Sequence, residues 1–199
     1  MKFRRWCIKI DDKLILVNKN NPLATDYIPD TLSLVMVPFV KTEFSSKRLM
    51  DREAARALES LFSSAWQYKK KLYAASGYRS YQRQAVIFQE HVAKYGLKRA
   101  NQMSAKAGES EHQTGLAMDI TAPSVDFALV EEIAQTAEGK WLKEFAAQFG
   151  FIIRYPKGKE EVTGYQYEPW HLRYVGPKVA TELVAAKLTL EEYLTKKCP

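Results

Sequence analysis

The sequence SEHQTGLAMDIT, which spans residues 110–121, has a histidine before a predicted strand and an aspartate within it. Both side chains are potential metal ligands. Residues 116–121 alternate as in a β-strand, so that Asp119 faces away from the apolar side of the strand. A carboxylate buried in such a strand needs a partner, either a metal ion or an arginine. His112 lies seven positions before Asp119, but this pair alone fits a solvated surface hairpin better than a metal site.

A second polar segment, EPWHLRYVG at residues 168–176, supplies another histidine and a glutamate. The proline between Glu168 and His171 limits how a strand can pair at this point, because proline has no N–H to donate. Two histidines and an aspartate (His112, His171 and Asp119) would give three ligands and an open fourth position, as expected of catalytic zinc. Glu168 would then be free to take a proton from a water molecule that the metal acidifies.

Other catalytic classes find no support in the sequence. The HExxH helix, the GxSxG elbow and the SxxK element are all absent, which argues against thermolysin-like and serine acyl-enzyme chemistry. The third histidine, His91, is expected to be a packed or half-exposed structural residue on a helix. The net charge of +7 suits an anionic partner such as the bacterial cell wall. No basic run is interleaved with aromatic residues, so nucleic acid is not expected to be a partner.

The hydrophobic pattern predicts an α+β fold, a single domain with a central antiparallel sheet flanked by helices. Residues 1–45 are expected to form an extended N-terminal arm, packed on a domain that spans 46–199. Predicted helices cover about 49–73, 80–95, 126–137 and 140–149, with two more starting at Pro177 and near Thr189. Predicted strands are 14–17, 34–37 and 116–121, with 151–156 and 165–176 forming a hairpin, and residues 100–111 are predicted to be a loop.

Three segments together resemble the VanY-type D-alanyl-D-alanine carboxypeptidases. SEHQTGLAMDI matches the SxHxxGxAxD signature of that family, and EPWHLRYVG matches its second metal motif. SGYRSYQRQ, at residues 76–84, matches the substrate-binding segment that precedes them. The similarity runs from about Val17 to Leu194, with the motifs in the family order, which makes it far more specific than one short pattern.

The resemblance implies a role for eight residues. His112, Asp119 and His171 would bind Zn²⁺, and Glu168 would be the catalytic base and later the proton donor. Arg79 would stabilise the developing oxyanion or hold the substrate. Substrate contacts are expected from Ser110, Gln84 and Tyr78. The same resemblance makes residues 46–199 a zinc carboxypeptidase domain.

The implied activity is removal of a C-terminal D-alanine from peptidoglycan stem peptides or their precursors. L,D-carboxypeptidase activity on tetrapeptide stems and hydrolysis of the free D-Ala-D-Ala dipeptide are alternatives, because relatives with these activities share the motifs. A zinc-stabilised binding module of the Hedgehog type is a non-enzymatic alternative, but such a scaffold needs neither Glu168 nor Arg79. A phage-type lysin usually carries a separate wall-binding module, and none is visible in the sequence.

Several further residues complete the expectations. Arg173 is predicted to be an ordinary surface or sheet-edge charge, whereas the role of Arg154 stays open. Trp170 and Tyr155 are expected in the core or the pocket wall. Cys7 and Cys198 are expected to be free thiols rather than a bridge between the termini. The protein is expected to be a monomer with no transmembrane segment and no export signal. The resemblance places it in the cell envelope, and the cytoplasm is the alternative.

Overall fold

The computed structural model describes residues 12–197, which form 13 helices and strands besides short 3₁₀ turns. The strands are β1 (Leu32–Leu34), β2 (Leu49–Asp51), β3 (Tyr73–Ser76), β4 (Ala117–Thr121), β5 (Phe151–Tyr155) and β6 (Glu168–Tyr174). The helices are α1 (Arg52–Gln67), α2 (Tyr81–Tyr95), α3 (Leu97–Met103), α4 (Ala137–Phe145), α5 (Glu160–Thr163), α6 (Pro177–Ala186) and α7 (Leu190–Lys197).

Four strands form the central sheet in the order β3-β4-β6-β5, and every neighbouring pair is antiparallel. A separate two-stranded sheet joins β1 to β2. The predicted α+β class with an antiparallel sheet is therefore confirmed. β5 and β6 are neighbours, as the predicted hairpin requires, and α5 lies within the segment that connects them.

Each face of the central sheet is covered. One face packs against α1 and α4, and its largest fully buried residues are Met50, Leu58, Leu61, Met118, Ile120, Leu142, Phe151 and Leu172. Strand alternation puts Ile152 on the other face, where it packs with residues of α6 and α7, namely Ala180, Leu183, Leu190 and Tyr193. Asp119 and His171 lie on this second face, because their neighbours Met118 and Leu172 are on the first.

Local sequence signals correctly located several helix ends. Ser80 caps α2 by accepting a hydrogen bond from the backbone N–H of Arg83, and Gly96 ends the helix. Thr189 and Glu192 form the predicted capping box at the start of α7, each side chain accepting from the other's backbone N–H. Pro177 is the first residue of α6, where its missing N–H costs nothing.

Two predicted helices, at 49–73 and 126–137, were wrong in part. In both, the backbone takes a left-handed conformation where a helix was expected. α1 ends at Gln67 rather than near residue 73, and Lys69 has φ = 55°. Residues 126–130 are not helical, since Asp126 and Phe127 both have positive φ values. The predicted loop at 100–111 was also wrong at its start, because residues up to Met103 belong to α3.

The predicted strand at 14–17 was wrong as well. Leu14 ends a 3₁₀ turn, and residues 15–17 have no sheet partner. The side chain of Arg173 instead donates hydrogen bonds to the carbonyl oxygens of Lys13 and Ile15, at 2.8 and 2.9 Å. The guanidinium group of Arg173 thus provides the hydrogen bonds that a neighbouring strand would otherwise donate to these carbonyl groups.

The segment before β2 contributes to the main core through Val35, Val37 and Phe39. The prediction that residues 1–45 form a separate arm stays a prediction. The predicted strand at 34–37 was mostly wrong, because only Leu34 is in a strand. Cys7 and Cys198 lie outside the described residues. Within residues 12–197, no helix is both long enough and apolar enough to cross a membrane.

Candidate metal and catalytic site

His112, Asp119 and His171 converge on one point at the second face of the sheet. Asp119 of β4 is directly opposite His171 of β6, so their side chains are neighbours on the same face. His112 comes from the 3₁₀ turn Glu111–Thr114 that precedes β4. Asp119 Oδ1 lies 3.1 Å from His171 Nδ1, and Asp119 Oδ2 lies 3.3 Å from His112 Nε2. All three residues are at most 4% exposed.

The ring orientations leave one nitrogen of each histidine facing this point. His112 Nδ1 lies 2.8 Å from the carbonyl oxygen of Gly77, which can only accept, so Nδ1 carries the proton and Nε2 carries the lone pair. Gly77 itself packs against the chain before β2, where a Cβ atom would lie only 2.5 Å from the Leu49 carbonyl oxygen, so a larger residue would displace this carbonyl group. On His171, Nδ1 faces Asp119 while Nε2 faces the carboxylate of Glu111, at 3.4 Å.

This donor set fits a zinc ion. One ligand atom from each of the three residues lies within 4.8 Å of the others. Ligands at 2.0–2.1 Å from a tetrahedral zinc ion would be about 3.3 Å apart, close to the separations from Asp119 to the two rings. The outer nitrogen of each ring is bound to a carbonyl or a carboxylate, the usual arrangement around histidine ligands of zinc. Three ligands leave the fourth position to water or substrate.

An irregularity in β6 brings Glu168 to the same side as His171. Residues three apart in a regular strand face opposite sides of a sheet. The pairing of β5 with β6 shifts between Ile153, which pairs with Leu172, and Tyr155, which pairs with Glu168. The shift surrounds Pro169, which cannot donate to the ladder. Glu168 Oε2 consequently lies 3.8 Å from His171 Nδ1.

The surroundings of Glu168 favour its protonated form. Burial raises its pKa to about 7, and the nearby carboxylate of Asp119 acts in the same direction, whereas His171 and Arg79 oppose the shift. The side chain is still 17% exposed on the cleft side. A carboxyl group that titrates near neutral pH beside a metal site is suited to take up and release a proton.

Arg79 is held at the edge of the cluster by neutral groups. Its Nη1 donates to Gln84 Oε1 at 2.7 Å, and its Nη2 donates to Ser76 Oγ at 3.1 Å. The same Nη2 lies 3.8 Å from Asp119 Oδ2. Gln84 is 1% exposed, and its amide nitrogen donates to the carbonyl oxygen of Ala105 at 2.6 Å. Both ends of Gln84 are thus engaged by protein, and its contact with substrate stays a prediction.

A cleft of about 210 Å³ opens onto the cluster. Tyr155 and Trp170 line it, as predicted for the pocket wall. Ser110 lines it as well, and its contact with substrate stays a prediction. The other lining residues include Arg79, His112, Asp119, Glu168 and His171. His91 of α2 also lines the cleft, and its Nδ1 is buried without a hydrogen-bond partner in the described structure. The prediction of a structural residue on a helix did not include this position on the cleft wall. Tyr78 is 7% exposed and does not line the cleft, so a contact with substrate stays a prediction.

A buried charge network, formed by Glu111, Arg154, Arg173 and Glu191, lies behind the cluster. Glu111 Oε1 accepts hydrogen bonds from Arg154 Nε at 2.7 Å and from Arg173 Nη1 at 2.6 Å. Arg154 also donates two bonds to the carboxylate of Glu191 on α7. The prediction that Arg173 is a surface or sheet-edge charge was wrong, since both arginines are fully buried. The two arginine side chains extend from the second face of the sheet, which the N-terminal segment and α7 cover at this point.

Three of the similarities to known proteins define the comparison. YodJ of Bacillus subtilis (strain 168) is 50% identical over 183 residues, which are 92% of this chain, and the chain spans about two thirds (67%) of the length of that relative. The structure of the LdcB LD-carboxypeptidase has a TM-score of 0.88 and 50% identity, over 92% of this chain and 86% of that chain. A mutant of the vancomycin resistance D,D-pentapeptidase VanY, in complex with Zn(II), has a TM-score of 0.76 and 36% identity, over 92% and 99%.

The fold and the His–Asp–His cluster define a zinc-dependent carboxypeptidase. The family model for VanY, described as D-alanyl-D-alanine carboxypeptidase, matches residues 47–177, which include all three sequence motifs. The chain therefore belongs to the VanY family of D-alanyl-D-alanine carboxypeptidases.

Proposed function

We propose that this protein removes one C-terminal D-alanine from a peptidoglycan stem peptide, with His112, Asp119 and His171 as zinc ligands. The observation that supports the proposal most is the position of Glu168, whose Oε2 lies 3.8 Å from His171 Nδ1 and whose pKa burial raises to about 7 in the metal-free protein. A scaffold that only needed a metal would gain nothing from a second, half-neutral carboxyl group there. A catalyst needs a group that accepts and returns a proton.

The proposed division of labour follows from the charges around the cleft. His112, Asp119 and His171 would hold a zinc ion, which would supply Lewis acidity to a carbonyl oxygen and lower the pKa of water to about 7. Glu168 takes the proton from the attacking water and later delivers it to the departing amine nitrogen of D-alanine. Arg79, fixed by Gln84 and Ser76, directs its guanidinium at the negative charge that develops on the carbonyl oxygen or at the substrate carboxylate.

Two features of the cleft suit a small, charged leaving residue. The cavity of about 210 Å³ has room for one small residue. Ser110 offers a hydroxyl group on the cleft wall, and Arg79 offers a cationic fork that matches a carboxylate. These features support a carboxypeptidase rather than an endopeptidase.

A second candidate function is L,D-carboxypeptidase activity on tetrapeptide stems. It is favoured by the similarity to LdcB, which exceeds the similarity to VanY in both sequence identity and TM-score. Hydrolysis of the free D-Ala-D-Ala dipeptide is the remaining alternative. All three activities would use the same zinc ligands and the same base, and they differ in what the cleft accepts on the amino-terminal side of the cut.

Mass spectrometry of the products separates these activities. Purified protein should be incubated with pentapeptide, tetrapeptide and dipeptide, each with zinc and with a chelator. Loss of one alanine from the pentapeptide alone supports the proposed activity, loss from the tetrapeptide supports the second candidate, and cleavage inside the stem contradicts both.

A substrate blocked at its C-terminus tests the polarity of the cut. We expect an amidated pentapeptide to be hydrolysed roughly tenfold to hundredfold more slowly than the free acid. The amide cannot accept a charge-assisted hydrogen bond, and each such bond lost costs about 1.5–3 kcal/mol. Equal rates for the two peptides would eliminate the carboxypeptidase assignment while leaving zinc-dependent hydrolysis intact.

A further inference from the structure

Within residues 12–197, Glu111 is the carboxylate that joins the metal cluster to the buried charge network. It lies next to His112 in sequence, but its side chain extends along the sheet face toward β6. Strand alternation places His171 and Arg173 on that same face, and Glu111 spans the two. Oε1 binds the two arginines, whereas Oε2 lies 3.4 Å from His171 Nε2.

The two arginines keep the Glu111 carboxylate ionised and fixed. Glu111 is 1% exposed, and charge-assisted bonds of 2.6 and 2.7 Å hold its Oε1. Together with Glu191 the network has two positive and two negative groups, so its formal charge is zero. A buried carboxylate is tolerated only with such compensation. The opposite oxygen is therefore a fixed hydrogen-bond acceptor aimed at one ring nitrogen.

An ionised carboxylate can accept hydrogen bonds but cannot donate them, which determines the proton on His171. The Nε2 atom must carry a hydrogen to face Glu111 favourably. Nδ1, which faces Asp119 Oδ1 at 3.1 Å, is then the nitrogen that can give up its proton and bind a metal on the side of Asp119 and His112. The same contact also limits rotation of the ring, which no other described hydrogen bond restrains from that side.

We propose that Glu111 is a positioning residue, which holds His171 in the tautomer and orientation that presents Nδ1 to the metal. The proposal rests on the zinc site of the proposed function. Glu111 touches neither substrate nor metal in this account and acts only through His171. The network behind it, anchored on α7 and on the N-terminal segment, serves to keep the carboxylate in place.

Substitution of Glu111 by glutamine is the sharpest test. The amide oxygen of Glu111→Gln can still accept from the arginines, but its NH₂ group would then face the Nε2–H of His171, donor against donor. The ring must lose its hydrogen bond or move its proton to Nδ1, the nitrogen needed by zinc. We expect zinc to bind roughly 10- to 100-fold more weakly, as measured by competition with a chelator of known affinity.

Glu191→Gln is the matched control, since it makes the same change of charge in the same network without contacting His171. Its zinc affinity should stay within about threefold of wild type, and unfolding of both metal-free variants should show how much each change costs the fold. Unchanged affinity in Glu111→Gln, or an equal loss in both variants, would overturn the proposal. A wild-type protein that binds no zinc would instead overturn the proposed function.

Two further measurements apply if Glu111→Gln does not fold. Glu111→Asp keeps the charge for the arginines but withdraws the carboxylate by about 1.5 Å, the length of one C–C bond, and should also weaken zinc binding at least tenfold. In zinc-loaded wild type, nitrogen NMR should show an Nε2 proton on His171 that exchanges slowly with water. Wild-type affinity in Glu111→Asp, or a rapidly exchanging proton, would contradict the role of Glu111.

Discussion

Two glutamates lie on opposite sides of His171, and their surroundings differ completely. Glu168 faces the cleft, where burial raises its pKa to about 7. Burial would also raise the pKa of Glu111, but Arg154 and Arg173 outweigh it and hold this pKa far below the usual range. A glutamate on one side of the His171 ring is therefore suited to proton transfer, whereas the glutamate on the other side stays ionised.

The difference shows that the partners of a buried carboxylate, rather than its burial alone, determine whether it is ionised. Both oxygens of Glu111 face an arginine or His171, and the residue is 1% exposed and does not line the cleft, so substrate does not reach it. Glu168 has no hydrogen-bonded cation in the described structure, and its nearest charged groups are the cluster residues themselves. An unsatisfied acid beside a metal site is the chemically available one.

The largest effect is expected from removing a ligand on the cleft side. His112→Ala should abolish stoichiometric zinc binding and with it all hydrolysis, because two remaining ligands do not hold zinc tightly. Metal content of the purified protein, by elemental analysis, should fall from about one zinc per chain to near zero. His91→Ala is the matched control, since His91 lines the cleft outside the cluster, and it should keep its zinc. Full zinc occupancy in His112→Ala would mean that the ligand set is wrong.

A smaller effect should follow from changing Arg79, which touches the cluster without belonging to it. Arg79→Ala should keep its zinc but lower kcat/KM by roughly 10- to 1,000-fold, as for loss of one group that stabilises an oxyanion. Arg83→Ala removes a nearby exposed positive charge and separates this role from the general field of the cleft. If both variants lose the same activity, Arg79 contributes only net charge.

The smallest effect is a change of stability with pH in metal-free protein. Since the folded-state pKa of Glu168, about 7, exceeds the 4.5 of an unperturbed glutamate, the stability it contributes is fully present below pH 4.5 and is lost as pH rises through 7. Glu168→Gln stays neutral and avoids this loss, which amounts to at most about 3 kcal/mol.

Thermal unfolding at pH 5 and pH 8 measures this difference. The Tm of metal-free Glu168→Gln relative to wild type should rise by several degrees between the two pH values. Glu161→Gln, an exposed change on α5, should show no such rise. An equal offset at both pH values would indicate that Glu168 is not held near neutrality.

The cleft side of His171 could be largely predicted from sequence, and the network side could not. His112, Asp119, Glu168 and His171 occur in two short segments whose residue types already suggest zinc chemistry. Glu111 occurs in the first of these segments, but its arginine partners are 43 and 62 positions away, so no local pattern reveals them.

The error at Arg173 has the same physical origin. Strand alternation indicates which face a side chain occupies but not what later covers that face. The carbonyl groups of Lys13 and Ile15, about 160 positions earlier in the chain, cover it. Likewise, the pattern predicted the helix that carries His91, but only the packing of α2 beside the cleft brought that ring to the cleft wall.

The most direct test of the account is to measure zinc content and turnover in the same preparation of Glu168→Ala. We expect about one zinc per chain and a turnover at least a hundredfold below wild type, because the base is lost while all three ligands remain. Retained zinc with near wild-type turnover would contradict the assignment of Glu168 as the base and would leave the cluster as a structural metal site.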